Sequence, residues 1–183
     1  MVIEKNDIIS ESDCDEMIKI AEDKFEVATT LGTHIEDYRT AVYTWIYDDQ
    51  PIAIKIRNIV SIETGLSVDN MENLHIVKYE VGGEYKKHHD FFHPGEDYYE
   101  GEFLRGGQRI KSVLFYLNDD YEGGETDFPK LDIKIKPVKY KMVIWDNINE
   151  DGTLDYDSAH AGLPVTKGVK YIAIIWIREG IFR

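Results

Sequence analysis

Hydrophobic residues follow a helical spacing close to the start of the chain. An apolar stripe there consists of Met17, Ile18, Ile20 and Ala21. Residues that recur every three or four positions lie on one face of an α-helix, so the pattern predicts a helix that ends near residue 24. Ser12 and Asp15, three positions apart, resemble a capping box. We therefore expect Ser12 to cap the first helix.

A second helical pattern starts at residues 48–51 and stops at Gly65. Proline at position 51 suits the first turn, where its missing N–H would have no partner, and glycine is a common stop signal. The face that we expect to be buried consists of Ile52, Ile56, Ile59 and Ile62. Both helices are expected to pack on a sheet.

Strand-like patterns dominate the rest of the chain. Two short ones separate the helices, at 25–30 and 40–46. Six more follow residue 73, at 74–81, 84–92, 108–117, 131–135, 141–145 and 169–177. Glycine pairs supply turns between several of them. Successive strands without intervening helices predict a mainly β fold with flanking α, in which a double-stranded β-helix, or jelly roll, is buttressed by the N-terminal helices.

The length of the chain, 183 residues, suits a single domain spanning 1–183. We expect residues 1–70 to form a helical and β support region and residues 71–183 to form the jelly-roll core. The longest predicted loop covers residues 93–107. Because loops of this length are often functional, we expect it to be poorly ordered without substrate and to close over the site.

The composition is that of a folded, acidic protein. Lys and Arg total 21 against 35 Asp and Glu, and the formal charge of −14 would repel a phosphate backbone, so we expect no nucleic-acid partner. Cys14 is the only cysteine, so no intramolecular disulfide can form. The sequence has neither the apolar run of a signal peptide nor the roughly 20 apolar residues of a membrane span. We therefore expect no membrane partner and a location in the cytoplasm, or in the cytoplasm of a host cell.

His88 and Asp90 are the strongest candidates for chemistry. In an extended strand, residues two positions apart point to the same face, so this imidazole and this carboxylate should face one interior. A histidine and a carboxylate, joined by a distant second histidine, form the facial triad of non-haem Fe(II) oxygenases. His160 is the best candidate for the third ligand. His89 has the opposite parity, and we expect it to point away from the metal.

Lys170 begins the last predicted strand, ten residues after His160. By the two-residue period it shares one face with Ile172, Ile174 and Trp176. Taken alone, a lysine here is more often an edge residue that deters aggregation. Its spacing from His160 instead favours a role in which it pairs with one end of a dicarboxylate while the metal holds the other end.

Several motifs in order resemble those of a known family. They are Tyr-Glu-Val-Gly-Gly-Glu-Tyr-Lys-Lys-His-His-Asp at 79–90, Gln-Arg at 108–109, Val-Leu-Phe-Tyr-Leu at 113–117, Glu-Gly-Gly-Glu-Thr at 122–126, and His160 with Lys170. Together they resemble the Fe(II)- and 2-oxoglutarate-dependent dioxygenases, and among these the prolyl 4-hydroxylases of collagen and plant or algal type. A bacterial or viral member of that family would also fit.

The resemblance implies a role for each matched residue. His88, Asp90 and His160 would bind Fe(II), and Lys170 would pair with the distal carboxylate of 2-oxoglutarate. Tyr79 and Thr126 would assist Lys170 through their hydroxyls. Tyr85 and Trp176 would line the pocket and position substrate, and Arg109 would contact the peptide backbone. The implied cosubstrates are 2-oxoglutarate and O2, with ascorbate as a reductant.

The implied reaction couples decarboxylation of 2-oxoglutarate to succinate with C–H hydroxylation, most simply of proline in a peptide or protein. Free proline or another amino acid is an alternative substrate, and a jelly-roll module that binds a metal or ligand without turnover is an alternative of another class. The chain departs from the family pattern at Arg178, where histidine is common, and at Glu84, where glutamine is common. These departures concern the pocket rim and leave the metal chemistry unchanged.

Overall fold

The strands and helices follow one another in an order that builds two facing sheets. The computed structural model describes residues 1–27 and 38–183. Within these residues the helices are α1 (Glu11–Glu22), α2 (Pro51–Thr64) and α3 (Tyr99–Phe103). The strands are β1 (Val2–Lys5), β2 (Glu26–Val27), β3 (Val42–Ile46), β4 (Leu74–Tyr79), β5 (Tyr85–His88), β6 (Arg109–Tyr116), β7 (Glu122–Gly123), β8 (Thr126–Phe128), β9 (Ile133–Ile135), β10 (Met142–Asp146), β11 (His160–Gly162), β12 (Val165–Lys167) and β13 (Lys170–Arg178).

All strand pairs in the described ranges are antiparallel. The larger sheet has the order β1-β10-β6-β13-β4-β3-β2, and the smaller one has the order β5-β11-β8-β9, with β12 and β7 paired separately. The predicted mainly β, jelly-roll fold is confirmed. The part of the chain before residue 70 contributes both helices that cover the larger sheet and three of its strands. No helix in the described residues has the length and apolar content needed to cross a membrane.

Hydrophobic cores lie on both faces of the larger sheet. One core joins α1 and α2 to the sheet and includes Met17, Ile52, Ile56, Phe115 and Ile175. The other lies between the two sheets and includes Tyr79, Tyr116, Phe128, Ile135 and Ile172. Because side chains alternate along a strand, β13 supplies both cores, and its predicted Lys170 face lies on the side of the second core. The functional site is built on this second side.

The first helix begins two residues earlier than predicted. Ser10, not Ser12, is the N-cap: its hydroxyl accepts from the Asp13 backbone N–H, and the Asp13 carboxylate accepts from the Ser10 N–H at 3.0 Å. Ser12 and Asp15 are exposed. The capping-box pattern was recognised correctly but placed in the wrong register, because Ser10 and Ser12 both precede an acidic residue by three positions.

Replacing Ser10 by alanine should lower the free energy of unfolding by about 0.5–2 kcal/mol, because the Asp13 backbone N–H loses the Ser10 hydroxyl as its acceptor. Chemical denaturation measures the change. Ser12→Ala is the matched control, and a loss for Ser12→Ala equal to that for Ser10→Ala would contradict the observed cap.

The second helix agrees with its predicted limits, and Gly65 ends it in a left-handed conformation at φ 73°. Its predicted buried face is wrong at one position. Ile62 is 80% exposed, and Val60 is fully buried instead. Ile52, Ile56 and Val60 follow one another at four-residue intervals and share one face of the helix. Ile62 follows Val60 by only two residues, a rotation of about 200°, so it points away from that face.

The six strands predicted after residue 73 all occur, but several are shorter than predicted. The clearest case is the predicted strand at 84–92, which ends at His88, so Asp90 lies in the bend that follows. Residues 28–30 of the predicted strand at 25–30 lie outside the described residues, as does His34. The predicted loop at 93–107 contains the short helix α3.

Candidate active site

Three side chains with metal-ligating atoms converge between the sheets. One ligand atom from each of His88, Asp90 and His160 lies within 4.8 Å of the other two. His88 and His160 are direct partners across the β5–β11 pair. The fold therefore brings their side chains together, although they lie far apart in the sequence. Two atoms bound to one ion by bonds of about 2.0–2.2 Å lie within roughly 4.4 Å of each other, so small adjustments would let all three share an ion.

Both histidines present the same nitrogen to this cluster. His88 Nδ1 lies 2.8 Å from the Lys86 carbonyl oxygen, and His160 Nδ1 lies 3.0 Å from that of Ser158. A carbonyl accepts only, so each Nδ1 carries the hydrogen and each Nε2 keeps its lone pair for a metal. Burial, with His88 nearby, lowers the pKa of His160 to about 4, so the imidazole is neutral at neutral pH.

Asp90 supplies the carboxylate, from the bend after β5 and not from the strand itself. Its Oδ1 lies 3.6 Å from His88 Nε2, and its Oδ2 lies 3.8 Å from His160 Nε2. Ser112 donates a hydrogen bond to Oδ2 at 2.6 Å. Burial raises the pKa of Asp90, but the two histidines and the Ser112 hydroxyl outweigh burial and hold it well below the usual range. The site therefore offers two imidazole nitrogens and one carboxylate oxygen, the donor set of a facial triad.

Lys170 is buried on the same side of the larger sheet. Only 2% of its surface is exposed, and its ammonium donates to the Gly124 carbonyl oxygen at 2.7 Å. The ammonium also lies 5.1 Å from the ring centre of Tyr79 and 5.7 Å from that of Tyr116. Burial lowers its pKa to about 7, with Glu125 acting in the opposite direction. A buried ammonium whose described contacts are a carbonyl and two rings is poorly compensated, and a carboxylate would compensate it.

The surroundings of Lys170 include the two predicted hydroxyl residues. Tyr79 is the direct partner of Lys170 across β4 and β13, and Thr126 Oγ1 lies 2.6 Å from the hydroxyl of Tyr116. Tyr116 was not among the predicted site residues, although it stands in the quoted motif at 113–117. Gly162 borders Lys170, since a Cβ at that position would lie 3.9 Å from the Lys170 ammonium, in ordinary van der Waals contact. Lys170 thus lies among the aromatic, hydroxyl and backbone groups of four neighbouring residues.

An open cavity borders the ligand cluster. Its volume is about 580 Å³, within the usual range of ligand pockets, and its walls include His88 and Asp90. Tyr85, Trp176 and Arg109, the predicted substrate-positioning residues, all line it, whereas Tyr79, Thr126 and Lys170 are not part of its wall. Two of the three ligands therefore face an open cavity, and the buried lysine lies outside its wall.

Residues 74–178 match the model of a protein family described as the 2OG-Fe(II) oxygenase superfamily. The chain belongs to that superfamily. Over 178 residues it is 33% identical to a putative prolyl 4-hydroxylase of Acanthamoeba polyphaga mimivirus, with 97% of this chain and 74% of the relative covered. It is also 33% identical to prolyl 4-hydroxylase subunit alpha-1 of Mus musculus over 97% of this chain, but it spans only 34% of that subunit.

A solved structure with the same architecture is the viral collagen prolyl hydroxylase from Paramecium Bursaria Chlorella virus-1 in complex with 2OG. It aligns with a TM-score of 0.78 and 27% identity, covering 97% of this chain and 95% of that one. Membership of the superfamily implies Fe(II) and 2-oxoglutarate, and the converging His-Asp-His set has the donors that Fe(II) accepts.

In this oxygenase, Arg109 is held by a buried acid that sequence reasoning missed. Glu72 accepts from Arg109 Nε at 2.6 Å and from Nη2 at 2.8 Å. The guanidinium carbon of Arg109 lies over Trp176, 3.9 Å from the ring centre. Burial raises the pKa of Glu72, but Arg109 and Arg178 outweigh burial and lower it, so the acid stays ionised. No local signal in the sequence singles out Glu72, because its partners are 37 and 106 residues away.

Arg178, the departure from the family pattern, connects the cavity wall to α3. Its side chain is fully buried, and it pairs with Glu72 at 2.6 Å and with Glu102 at 2.9 Å. It also donates to the carbonyl oxygens of Glu102 and Gly107. The segment 93–107 of the oxygenase is therefore tied to the core by a buried charge network, so we replace the expectation of a loosely ordered lid with that of a fastened wall.

Glu102→Gln should loosen this wall, because the buried Arg178 guanidinium loses one of its two charged partners, the one on α3. We expect a loss of about 1–3 kcal/mol in stability and faster amide hydrogen exchange in peptides covering residues 98–107. Glu100→Gln, on the same helix but exposed, is the control. Exchange in 98–107 that is already fast in the unmodified protein would contradict the fastened-wall interpretation.

The other described histidines lie outside the ligand set. His89 Nε2 donates to the Tyr156 carbonyl oxygen at 3.2 Å, and the ring stacks on Phe91. His75 is buried in the sheet against Trp45, and its Nδ1 has no hydrogen-bond partner among the described residues. Burial lowers the pKa of His75 well below its usual value.

Proposed function

We propose that the chain hydroxylates proline residues in a peptide or protein, with Fe(II) held by His88, Asp90 and His160. The observation that carries the proposal is the convergence of these three side chains at the wall of an open cavity, in a fold that also buries Lys170. When bound, Fe(II) and 2-oxoglutarate supply O2 activation, in which decarboxylation to succinate and carbon dioxide is coupled to hydroxylation of a C–H bond.

Lys170 binds the distal carboxylate of 2-oxoglutarate in this proposal, with Tyr79 and Thr126 as the neighbouring hydroxyls. The support is its burial and its single carbonyl acceptor among the described residues. A charge-assisted hydrogen bond to Lys170 would also select a dicarboxylate over a monocarboxylate.

The substrate assignment rests on the relatives and on the cavity. The mimivirus and mouse relatives are prolyl 4-hydroxylases by name, and the chlorella-virus structure is of a collagen prolyl hydroxylase. The cavity is aromatic-walled, and a volume of about 580 Å³ supports a peptide segment over a single free amino acid. Trp176 and Tyr85 supply flat apolar surface for a proline ring, and Arg109 keeps N–H groups beyond those used by Glu72 for a backbone carbonyl.

Binding of 2-oxoglutarate should take up protons above neutral pH. In the free protein the pKa of Lys170 is about 7, so at pH 8 most of the amine is neutral. A bound carboxylate favours the ammonium and raises this pKa, so affinity falls as pH rises above about 7. Calorimetry of the metal-loaded protein in buffers of different ionisation enthalpy measures the uptake. Equal uptake by Lys170→Met would assign the proton to another group.

The experiment that tests the proposed substrate offers the iron-loaded enzyme a proline-rich peptide and, separately, free proline. We expect one oxygen atom to be added to the peptide, on proline, with 2-oxoglutarate consumed. Oxidation of free proline alone would move the assignment to an amino-acid hydroxylase, and consumption of neither would favour a module that binds without turnover.

Three predictions accompany this proposal. They are ascorbate as the reductant, a cytoplasmic or host-cell cytoplasmic location, and the absence of nucleic-acid and membrane partners. The acidic composition, with a formal charge of −14, supports the last of them with respect to nucleic acid.

A further inference from the structure

Asp90 is held by a chain of two buried hydrogen bonds. The other two residues of this chain, Ser112 and Asn147, lie outside the family motifs. Ser112 Oγ donates to Asp90 Oδ2 at 2.6 Å, and Asn147 Nδ2 donates to Ser112 Oγ at 2.9 Å. Ser112 and Asn147 are both fully buried. The carboxylate is thus supported from behind by two polar side chains, away from the open cavity.

Chemistry fixes the direction of both hydrogen bonds. An ionised carboxylate only accepts, so the single hydroxyl hydrogen of Ser112 points at Asp90. Having donated that hydrogen, the hydroxyl can only accept from Asn147, so the amide NH2 group faces Ser112. Each link therefore orients the next one, ending at Asp90 Oδ2.

The fold holds the two supporting residues more firmly than it holds Asp90. Ser112 lies in the central strand β6, opposite Trp145 on one side and Trp176 on the other. Asn147 follows β10, donates its N–H to the Ile110 carbonyl at 2.9 Å and accepts from the Asp155 N–H at 3.0 Å. Asp90 itself lies in a bend outside any strand. The sheet therefore positions the carboxylate through Ser112.

The hydrogen bond also distinguishes the two oxygens of Asp90. Oδ2 accepts from the Ser112 hydroxyl and lies 3.8 Å from His160 Nε2, whereas Oδ1 lies 3.6 Å from His88 Nε2 and accepts from no hydroxyl among the described residues. A carboxylate that bound the metal through both oxygens would use two coordination positions. A facial triad needs three positions open, two for the carboxylate and ketone of 2-oxoglutarate and one for O2.

We propose that Ser112 and Asn147 are positioning residues that keep Asp90 a one-oxygen ligand through Oδ1. This inference rests on the proposed function, because it takes Asp90 as a metal ligand. Its consequence is that removing the Ser112 hydroxyl frees Oδ2 and lets the carboxylate turn, so that Asp90 loses its fixed orientation toward the metal.

The test compares Co(II) binding by the wild-type 183-residue chain and by Ser112→Ala, using competition with a chromophoric chelator and the visible absorption spectrum of the bound Co(II). We expect Ser112→Ala to bind Co(II) about 10- to 100-fold more weakly, with a changed spectrum. Ser112→Thr keeps a hydroxyl and should restore both. Ser61→Ala, which removes a hydroxyl bonded to the Leu66 carbonyl far from the site, is the matched control.

Asn147→Ala gives a second, independent measurement if Ser112→Ala does not fold. We expect a smaller loss of affinity in the same direction, and a double variant no worse than Ser112→Ala, because Asn147 acts through Ser112. Wild-type affinity and spectrum in Ser112→Ala, or in Asn147→Ala where that is the folded variant, would overturn the inference and leave the proposed function intact. Failure of the wild type itself to bind Co(II) would overturn the proposed metal site.

Discussion

The His160→Ala protein will form no succinate from 2-oxoglutarate and will bind Fe(II) or Co(II) at least about a hundredfold more weakly than the wild type. Loss of an outer hydrogen-bond partner already costs about 10- to 100-fold in metal affinity, and loss of a direct ligand should cost more. His160 supplies one of the two imidazole nitrogens of the cluster, and β11 holds it directly opposite His88. Titration with Co(II) and a succinate assay measure the two effects.

His89→Ala is the control for metal binding. His89 is the neighbour of His88 in sequence, but its Nε2 lies near the Tyr156 carbonyl and it is not part of the three-residue cluster found in the described chain. We expect its Co(II) affinity to match the wild type. Equal losses for His89→Ala and His160→Ala, with both proteins folded by thermal unfolding, would mean that the ligand set is wrong.

The second large effect is expected at Lys170. Lys170→Met keeps an unbranched side chain at this buried position but removes the charge. The concentration of 2-oxoglutarate needed for half-maximal turnover should therefore rise about ten- to a hundredfold. This range follows from the roughly 1.5–3 kcal/mol that a hydrogen bond to a charged group contributes. Succinate formation measured against 2-oxoglutarate concentration, with the peptide concentration held constant, gives the result.

Lys167→Met is the matched control, because Lys167 lies close in sequence with a side chain that is 75% exposed and pairs with Glu122 at the surface. Surface ion pairs contribute little, so we expect no change in the 2-oxoglutarate requirement. A Lys170→Met enzyme with a wild-type requirement for 2-oxoglutarate and a raised requirement for peptide would place Lys170 in the substrate pocket instead.

Local periodicity was enough to predict the parts of the site that lie on long strands. The two-residue period placed Lys170, Ile172 and Trp176 on one face of β13, and the structure has Lys170 and Ile172 on the side of the core between the sheets. It also predicted that His88 and Asp90 face one interior. That pair converges in the structure, although the strand ends at His88 and the bend, not the pleat, turns Asp90 inward.

Short elements carried too little pattern to be predicted. Strands β7, β8, β11 and β12 have two or three residues each. So few residues do not show a repeated alternation of polar and apolar positions. One of them, β11, carries His160. Its pairing with β5 comes from the closure of the jelly roll, which no local pattern encodes. Motif resemblance, not periodicity, identified His160 as a ligand candidate with a role.

The buried polar network was beyond sequence reasoning for a different reason. Glu72, Arg178 and Asn147 are ordinary polar residues in the sequence, and each finds its partners at large separations along the chain. Such contacts depend on the packing of whole sheets. They also determine what the cavity wall can do, because Arg178 fastens α3 and leaves Arg109 between Glu72 and Trp176.

The measurement that tests the central claim most directly follows both atoms of isotopically labelled O2. The anaerobically iron-loaded enzyme receives 2-oxoglutarate and a proline-rich peptide and is then exposed to the labelled gas. The account predicts succinate and hydroxyproline in equal amounts, each carrying one labelled oxygen atom. Labelled succinate without any labelled peptide would contradict the proposed substrate, and the absence of both labelled products would contradict the assignment of the site to oxygenase chemistry.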